Sequence, residues 1–600
     1  MHELFQSRRQ HFQNEEQKAR ETYNRLSMIR LAWFVAVAVA FYLFWNSDRQ
    51  ATSWLLLLVG IAGFLILLKC HQQVQLRRDR FRWLAFINHD EAGRIDRNFV
   101  RSQNGLEYSD PAHPYAADLD VFGNHSLFRL LNRTHTYEGS RKLAQWLLYP
   151  ADEETILLRQ AAVAEWKPQI DWRQDFEALA YGNAETGQSP AALKQWTLQS
   201  EKQTVPGYVR WLRFLLPILT LTLVAFWLAE RLPGWVPLLS LGLHGLLLSR
   251  VAEEAKQVSE QTYEIAKSLQ TYQSLLGHLG VLPVEAAYLR RIQARLKLGT
   301  RPADQAIGQL GRLVQNLNFR RNPYFFLFIG IISLWDVHYL TALDNWRRTH
   351  GPHLADWLDA LAEAEALNSL AGLAFAHPAY AVPDIRPEGL ELEATQTRHP
   401  LLSAKKSVAN SLSLSGQGRT VLITGSNMSG KSTFLRTVGA NVVLALAGSV
   451  VAAERFVCSP VQVFTSMRTQ DSLEESTSSF YAELKRLKAL IERTSRREAL
   501  PVLYFLDEIL KGTNSADRHR GARALILQLH ETTASGFVST HDVELGDMAV
   551  QHPFIENYSF HSDVVDGNLH FDYTLRPGVC RSFNASQLMQ AIGIDVEKNA

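Results

Sequence analysis

One string of residues leaves this chain the least freedom: Gly425-Ser426-Asn427-Met428-Ser429-Gly430-Lys431-Ser432, a complete match to G-x-x-x-x-G-K-[ST]. Glycines at both ends let the backbone curl until successive N–H groups face a phosphate, and a helix starting at the loop adds a favourable dipole. The flanks agree with that geometry. Thr420–Thr424 (TVLIT) reads as a buried strand, and Thr433–Ala447 carries a helical pattern. Such a strand–loop–helix unit demands a parallel α/β sheet. The chemistry it points to is ATP with Mg²⁺. Gly425–Thr433 would cradle the phosphates, Lys431 would neutralise β/γ oxygens, and the Ser432 hydroxyl would join the metal shell.

Two further strand ends complete the expected site. Pro501–Leu506 (PVLYFL) runs into Asp507-Glu508. Asp507 is expected in the Mg²⁺ shell, and Glu508 as the general base or water-positioner. Gly536–Thr540 ends at His541, which could reach the γ-phosphate as donor or sensor.

Elsewhere the chain is strongly apolar. Four runs come as two pairs: Leu31–Trp45 with Trp54–Leu68, and Phe214–Ala229 with Trp235–Leu248. Each run of the first pair lacks charge, and with its flanks approaches the ~20 residues a bilayer span needs. Cations cluster outside the pairs, at Arg8, Arg9, Lys18, Arg20, Arg25 and Arg30 before the first and Lys69, Arg77, Arg78, Arg80 and Arg82 after it. By the positive-inside rule both ends of each hairpin lie in the cytoplasm, giving an inner-membrane protein with a cytoplasmic ATPase. A shorter apolar run, Tyr324–Trp335, is expected as a buried helix of the soluble part.

The expected organisation follows from these marks. Residues 1–30 form an amphipathic N-terminal segment, 31–68 the first hairpin and 69–117 a linker. A helical core begins at 118–210, is interrupted by the second hairpin at 211–250 and resumes as lever and core helices over 251–380. The α/β P-loop domain occupies 381–600. Val251–Leu298 is expected as extended helix with a basic end, Leu289–Arg301, and Trp357–Leu373 as another helix. Composition adds exclusions: 46% hydrophobic and 20% charged residues rule out a disordered chain, and a net charge of +2 does not announce a nucleic-acid binder. The three cysteines, Cys70, Cys458 and Cys580, form no CxxC pair and support neither a disulfide framework nor a zinc site.

The motif residues resemble the MutS family of DNA mismatch-repair ATPases. TGSNMSGKST (Thr424–Thr433), LDEILKGTNSAD (Leu506–Asp517) and STHD (Ser539–Asp542) are similar to that family's loop, acidic strand end and strand-end histidine. DSLEESTSSFYAEL (Asp471–Leu484) resembles its signature region, and TRHPLL (Thr397–Leu402), Tyr573–Ile594 and the core stretch Leu127–Trp166 also fit. The resemblance implies a homodimer with composite ATP sites, in which Ser478 reaches the γ-phosphate of the opposite subunit. It also implies affinity for duplex or branched DNA. Mismatch specificity is not expected, because the first hairpin stands where the family's mismatch-reading domain would be. Ser407 stands where the family's adenine-stacking aromatic is expected, just before Val408-Ala409-Asn410. The competing expectation is an ABC-type transporter half or a membrane-remodelling ATPase without DNA binding. Against a transporter, the LSGGQ-type signature is absent and the apolar helices are few and short.

Overall fold

The computed structural model describes residues 1–45, 50–181, 191–198, 205, 207–263, 265–426, 428–468, 479–495, 500–565 and 568–580. The first apolar pair forms two long antiparallel helices, His2–Trp45 and Gln50–Ile95, packed along each other. The second forms Gly207–Leu228 and Trp235–Tyr263. All four are long and apolar enough to cross a membrane, and their apolar windows are largely unburied by protein.

The helices outrun the apolar runs, and their extensions are structural. The second helix continues into the segment expected as a linker, as far as Ile95, and ends inside the core. There Glu91 meets Arg133 through two bonds, Nε to Oε1 at 2.6 Å and Nη2 to Oε2 at 2.7 Å. Arg94 donates to Asp90 and to the Leu130 and Asn132 carbonyls. Buried charges persist only when paired and hydrogen-bonded, and these are.

The expected extended helix over Val251–Leu298 is instead divided. Ile265–Val281 ends, and Ala287–Leu296 restarts beyond Leu282–Ala286. Its basic end is tied down in part, with Arg295 paired to Asp359 and Glu363. The helix expected at Trp357 begins much earlier, at Trp335, and runs through Pro352 to Ala376. This rod is the spine of the core. Near its end Glu365 accepts bonds from the His135 and Thr136 backbone N–H groups, and Ser369 accepts from the Arg133 N–H.

The run Tyr324–Trp335 departs from expectation. It is not a buried helix: a one-turn helix at Pro323–Phe325 passes into a π-helix at Phe326–Gly330, and Tyr324, Leu327, Phe328 and Ile329 are exposed. The chain then turns by 91° into the rod. Hydrophobic period alone does not tell which short apolar run the rest of the protein covers.

Beyond Ala376 lies the α/β part. A four-stranded sheet has the order β1-β5-β2-β3, with β1 at Asp384–Ile385, β2 at Glu391–Thr397, β3 at Asn410–Ser415 and β5 at Arg455–Cys458. A six-stranded sheet has the order β10-β9-β4-β8-β7-β6. Its parallel strands are β4 (Thr420–Thr424), β6 (Gln462–Ser466), β7 (Val502–Asp507), β8 (Ser535–Thr540) and β9 (Ile555–Val565), with β10 (Asn568–Pro577) antiparallel at the edge. β4, β7 and β8 are buried at every residue, as strands covered on both faces must be.

Candidate active site

Parallel β7, β8 and β4 lie side by side, so the loops at their C-terminal ends converge on one edge of the sheet, where open α/β folds bind ligands. β4 delivers the glycine loop, β7 delivers Asp507 and Glu508, and β8 delivers His541.

The loop is built for close approach. Gly425 has φ +154°, and a Cβ there would meet the Phe560 carbonyl and Ser429 Oγ, each at 2.8 Å. Gly430 has φ +105°, and a Cβ would press on the Tyr573 ring at 3.0 Å. Met428 also takes a left-handed conformation. The helix Lys431–Leu446 starts at once. Ser429 Oγ is buried without a hydrogen-bond partner among the described residues, a polar atom that a phosphate oxygen would satisfy. Asn427 lies outside the described residues.

Lys431 is buried, and burial lowers the pKa of its ammonium against the pull of Glu508 and Asp507. Its Nζ donates to the Gly425 and Ser426 carbonyls, both at 2.9 Å, and stands 3.8 Å from Glu508. Phosphate oxygens would therefore displace neutral carbonyls, a trade that favours the charged acceptor.

Glu508 is the hub of the site. Its backbone is left-handed, at φ +50°, and its N–H donates to the Ser539 carbonyl of β8. One carboxylate oxygen contacts His541 Nε2, and the other lies 3.2 Å from Lys511 Nζ. The hydrogen bond with His541 is the largest cause that pulls this carboxyl down to about 2, with Lys511 adding to it against burial. His541 in turn holds Nδ1 2.9 Å from the Gly425 carbonyl. The strand-end histidine thus bridges the loop and the acidic pair. Asp507 accepts from Ser539 Oγ, which orients its carboxylate. Ser432 and Asp507 present a hydroxyl and a carboxylate, hard oxygen donors suited to Mg²⁺.

A cavity of about 400 Å³ opens beside the loop, lined by Gly430–Phe434 on one side and His399, Ser407, Val408 and Tyr573 on the other. Its size fits a nucleotide. Burial pushes the His399 imidazole down to about 4, so it meets a ligand neutral. Tyr573 opens the late stretch that resembles the family, but its place at the cavity wall was not read from the sequence. A register shift between Phe571 and Leu575 marks an irregularity in the β9–β10 ladder, and Asn410 pins it by donating to the Tyr573 carbonyl and accepting from the Leu575 N–H. Its ring supplies an aromatic wall that Ser407 cannot. The advance signal was its position at the head of the family-like stretch Tyr573–Ile594.

Of the expected signature residues, Ser478 lies outside the described residues. Phe480 packs on Gly512, and Glu483 accepts the Leu510 and Lys511 N–H groups, holding the turn after Glu508. Asp118 of the core accepts from Thr465 Oγ at 2.7 Å and from the Arg468 N–H at 3.0 Å, fixing the end of β6 ahead of that region.

Two family models match, in this order along the chain: MutS domain III over residues 116–371 and MutS domain V over residues 421–596. The first spans the second hairpin, which is therefore set within the core. Among curated proteins, the DNA mismatch repair protein MutS of Natronomonas pharaonis is 33% identical over 240 residues, covering 39% of this chain and 27% of the relative. MutS 2 of Halobacterium salinarum is 33% identical over 239 residues, covering 39% and 27%. The mismatch repair protein MSH4 of Arabidopsis thaliana is 31% identical over 232 residues, covering 37% and 28%. The matched region spans little more than a quarter of these relatives. With the loop, the acidic strand end, the strand-end histidine and two MutS domains in sequence, the chain belongs to the MutS family.

Proposed function

We propose that this chain is a membrane-tethered, Mg²⁺-dependent ATPase that works as a dimer, coupling nucleotide turnover to movement of its core and rod. The observation that carries this reading is the convergence of Lys431, Glu508 and His541 on one glycine loop.

Gly425–Thr433 and Lys431 would bind the triphosphate, and Ser432 and Asp507 would hold the metal, which would supply charge neutralisation to the phosphates. Tyr573 covers the base. Glu508 orients the attacking water. Its negative charge polarises that water and draws off its proton as the bond to phosphorus forms, a role Gln cannot fill, with His541 relaying the state of the γ-phosphate. Ser478 of the opposite subunit completes the site, so each chain needs a second copy. In purified full-length protein, Glu508→Gln lowers phosphate release by about 10²- to 10⁴-fold. A wild-type rate in that variant removes Glu508 from the reaction.

Membrane attachment rests on the four apolar helices and on the cations that flank them, with the ATPase on the cytoplasmic side of the inner membrane. DNA binding is supported by the names of the mismatch-repair relatives. The DNA is duplex or branched and is held without mismatch specificity. Affinity set by phosphate contacts falls steeply with salt in a titration, and a flat response contradicts it. The transporter alternative is not favoured, since the second hairpin interrupts a MutS core.

A further inference from the structure

The segment Pro323–Leu334 (PYFFLFIGIISL) carries no charge, yet the protein leaves much of it uncovered: Tyr324 is 77% exposed, Phe328 67% and Leu327 58%. A hydrated surface does not tolerate such a run without a partner. The segment is also too short to span, since twelve helical residues rise about 18 Å against a hydrocarbon core of about 30 Å.

Its neck shows how it is used. Arg320 just before the run and Asp336 just after it form an ion pair, Nε to Oδ2 at 3.1 Å. Trp335 Nε1 donates to the Asn316 carbonyl at 2.8 Å, closing the same neck. Entry and exit therefore lie side by side, whereas a crossing would leave them on opposite faces.

Its depth is marked by a hydrogen bond. His244, fully buried in the helix Trp235–Tyr263, donates from Nδ1 to the Ile331 carbonyl at 2.8 Å. Its Nε2 lies 2.9 Å from Thr220 Oγ, which is 2.6 Å from Ser240 Oγ. Along that helix His244 sits about 14 Å from Trp235 and about 9 Å from Arg250, well inside the apolar stretch. Irregular backbone at such a depth survives only where protein satisfies the freed carbonyls, and the His244 bond meets that need for Ile331.

We propose that Pro323–Leu334 is a re-entrant membrane wedge, inserted from the ATPase side against the second hairpin, with lipid acyl chains on its exposed face. This rests on the membrane reading given above. It adds a third inserted element, one joined directly to the rod Trp335–Ala376.

The test uses the full-length chain carrying Cys70→Ser, in oriented vesicles, with single cysteines introduced and a membrane-impermeant maleimide as the probe. Gln315→Cys and Thr349→Cys react from the ATPase side only. Phe328→Cys and, in the second hairpin, Leu221→Cys react from neither side. A spin label at 328 collides with dissolved oxygen more often than with a water-soluble nickel chelate. If Phe328→Cys reacts as fast as Thr349→Cys while Leu221→Cys stays protected, the wedge is overturned and the membrane reading stands. If Gln315→Cys and Thr349→Cys react from opposite sides, the segment crosses and the re-entrant proposal is wrong. If Leu221→Cys also reacts, the membrane reading fails and the wedge with it.

Discussion

Glu508 and Tyr573 show how differently two residues of one site reveal themselves. Glu508 was legible because a strand ending in two acids after a complete glycine loop has few other uses. Its tie to His541 and Lys511 was not, because that depends on a left-handed turn no spacing encodes. The tie has a consequence for pH. The Glu508 carboxyl sits near 2, below the ~4.3 of a free glutamate, so it is ionised throughout the range from pH 5 to 9. The ratio of wild-type to Glu508→Gln rates is therefore constant across that range in a pH–rate series. A ratio that collapses towards pH 5 contradicts the assignment. Tyr573 fell in a family-like stretch, but its place at the cavity was illegible because it depends on an irregular hairpin register and on Asn410, far away in the sequence. Stacking on a base is worth about 1–2 kcal/mol, so Tyr573→Ala raises the KM for ATP by about 5- to 30-fold with kcat little changed. An unchanged KM removes the ring from the base site.

Elements were read well where both sides of a segment face protein and poorly where they do not. β4 matches its expected bounds, and β7 and β8 differ by a residue at one or both ends, because buried parallel strands have no alternative to a continuous apolar run. The helix Gln50–Ile95 was underestimated. Its apolar half resembles a span, while its polar half looks solvated until Glu91, Asp90 and Arg94 find partners in the core. Those partners tether the first hairpin. Glu91→Ala leaves Arg133 buried without its carboxylate, which costs about 3–5 kcal/mol. Thermal unfolding in detergent is expected to shift down clearly, whereas breaking the exposed Lys488–Glu492 pair leaves it nearly unchanged. Equal effects of the two changes would mean that the Glu91 contact does not anchor the hairpin.

At the scale of the whole molecule, the apolar hairpins and the nucleotide loop share short physical connections. Arg97, just past the first hairpin, donates to the Pro400 carbonyl at 2.7 Å, between His399 and Leu402 of the cavity wall. The rod runs from the exposed apolar segment to the core that grips Arg133 and Thr136. A change of shape around the triphosphate thus has two routes towards the hairpins, one through the cavity wall and one through the rod. Both depend on nucleotide sitting where Lys431, Glu508 and His541 meet. Equilibrium binding of fluorescent ATP with Mg²⁺ to full-length Glu508→Gln and Lys431→Ala tests that placement most directly. The account predicts that Glu508→Gln holds the nucleotide without turning it over, while Lys431→Ala loses binding. Wild-type binding by Lys431→Ala, or turnover by Glu508→Gln at the wild-type rate, would contradict it.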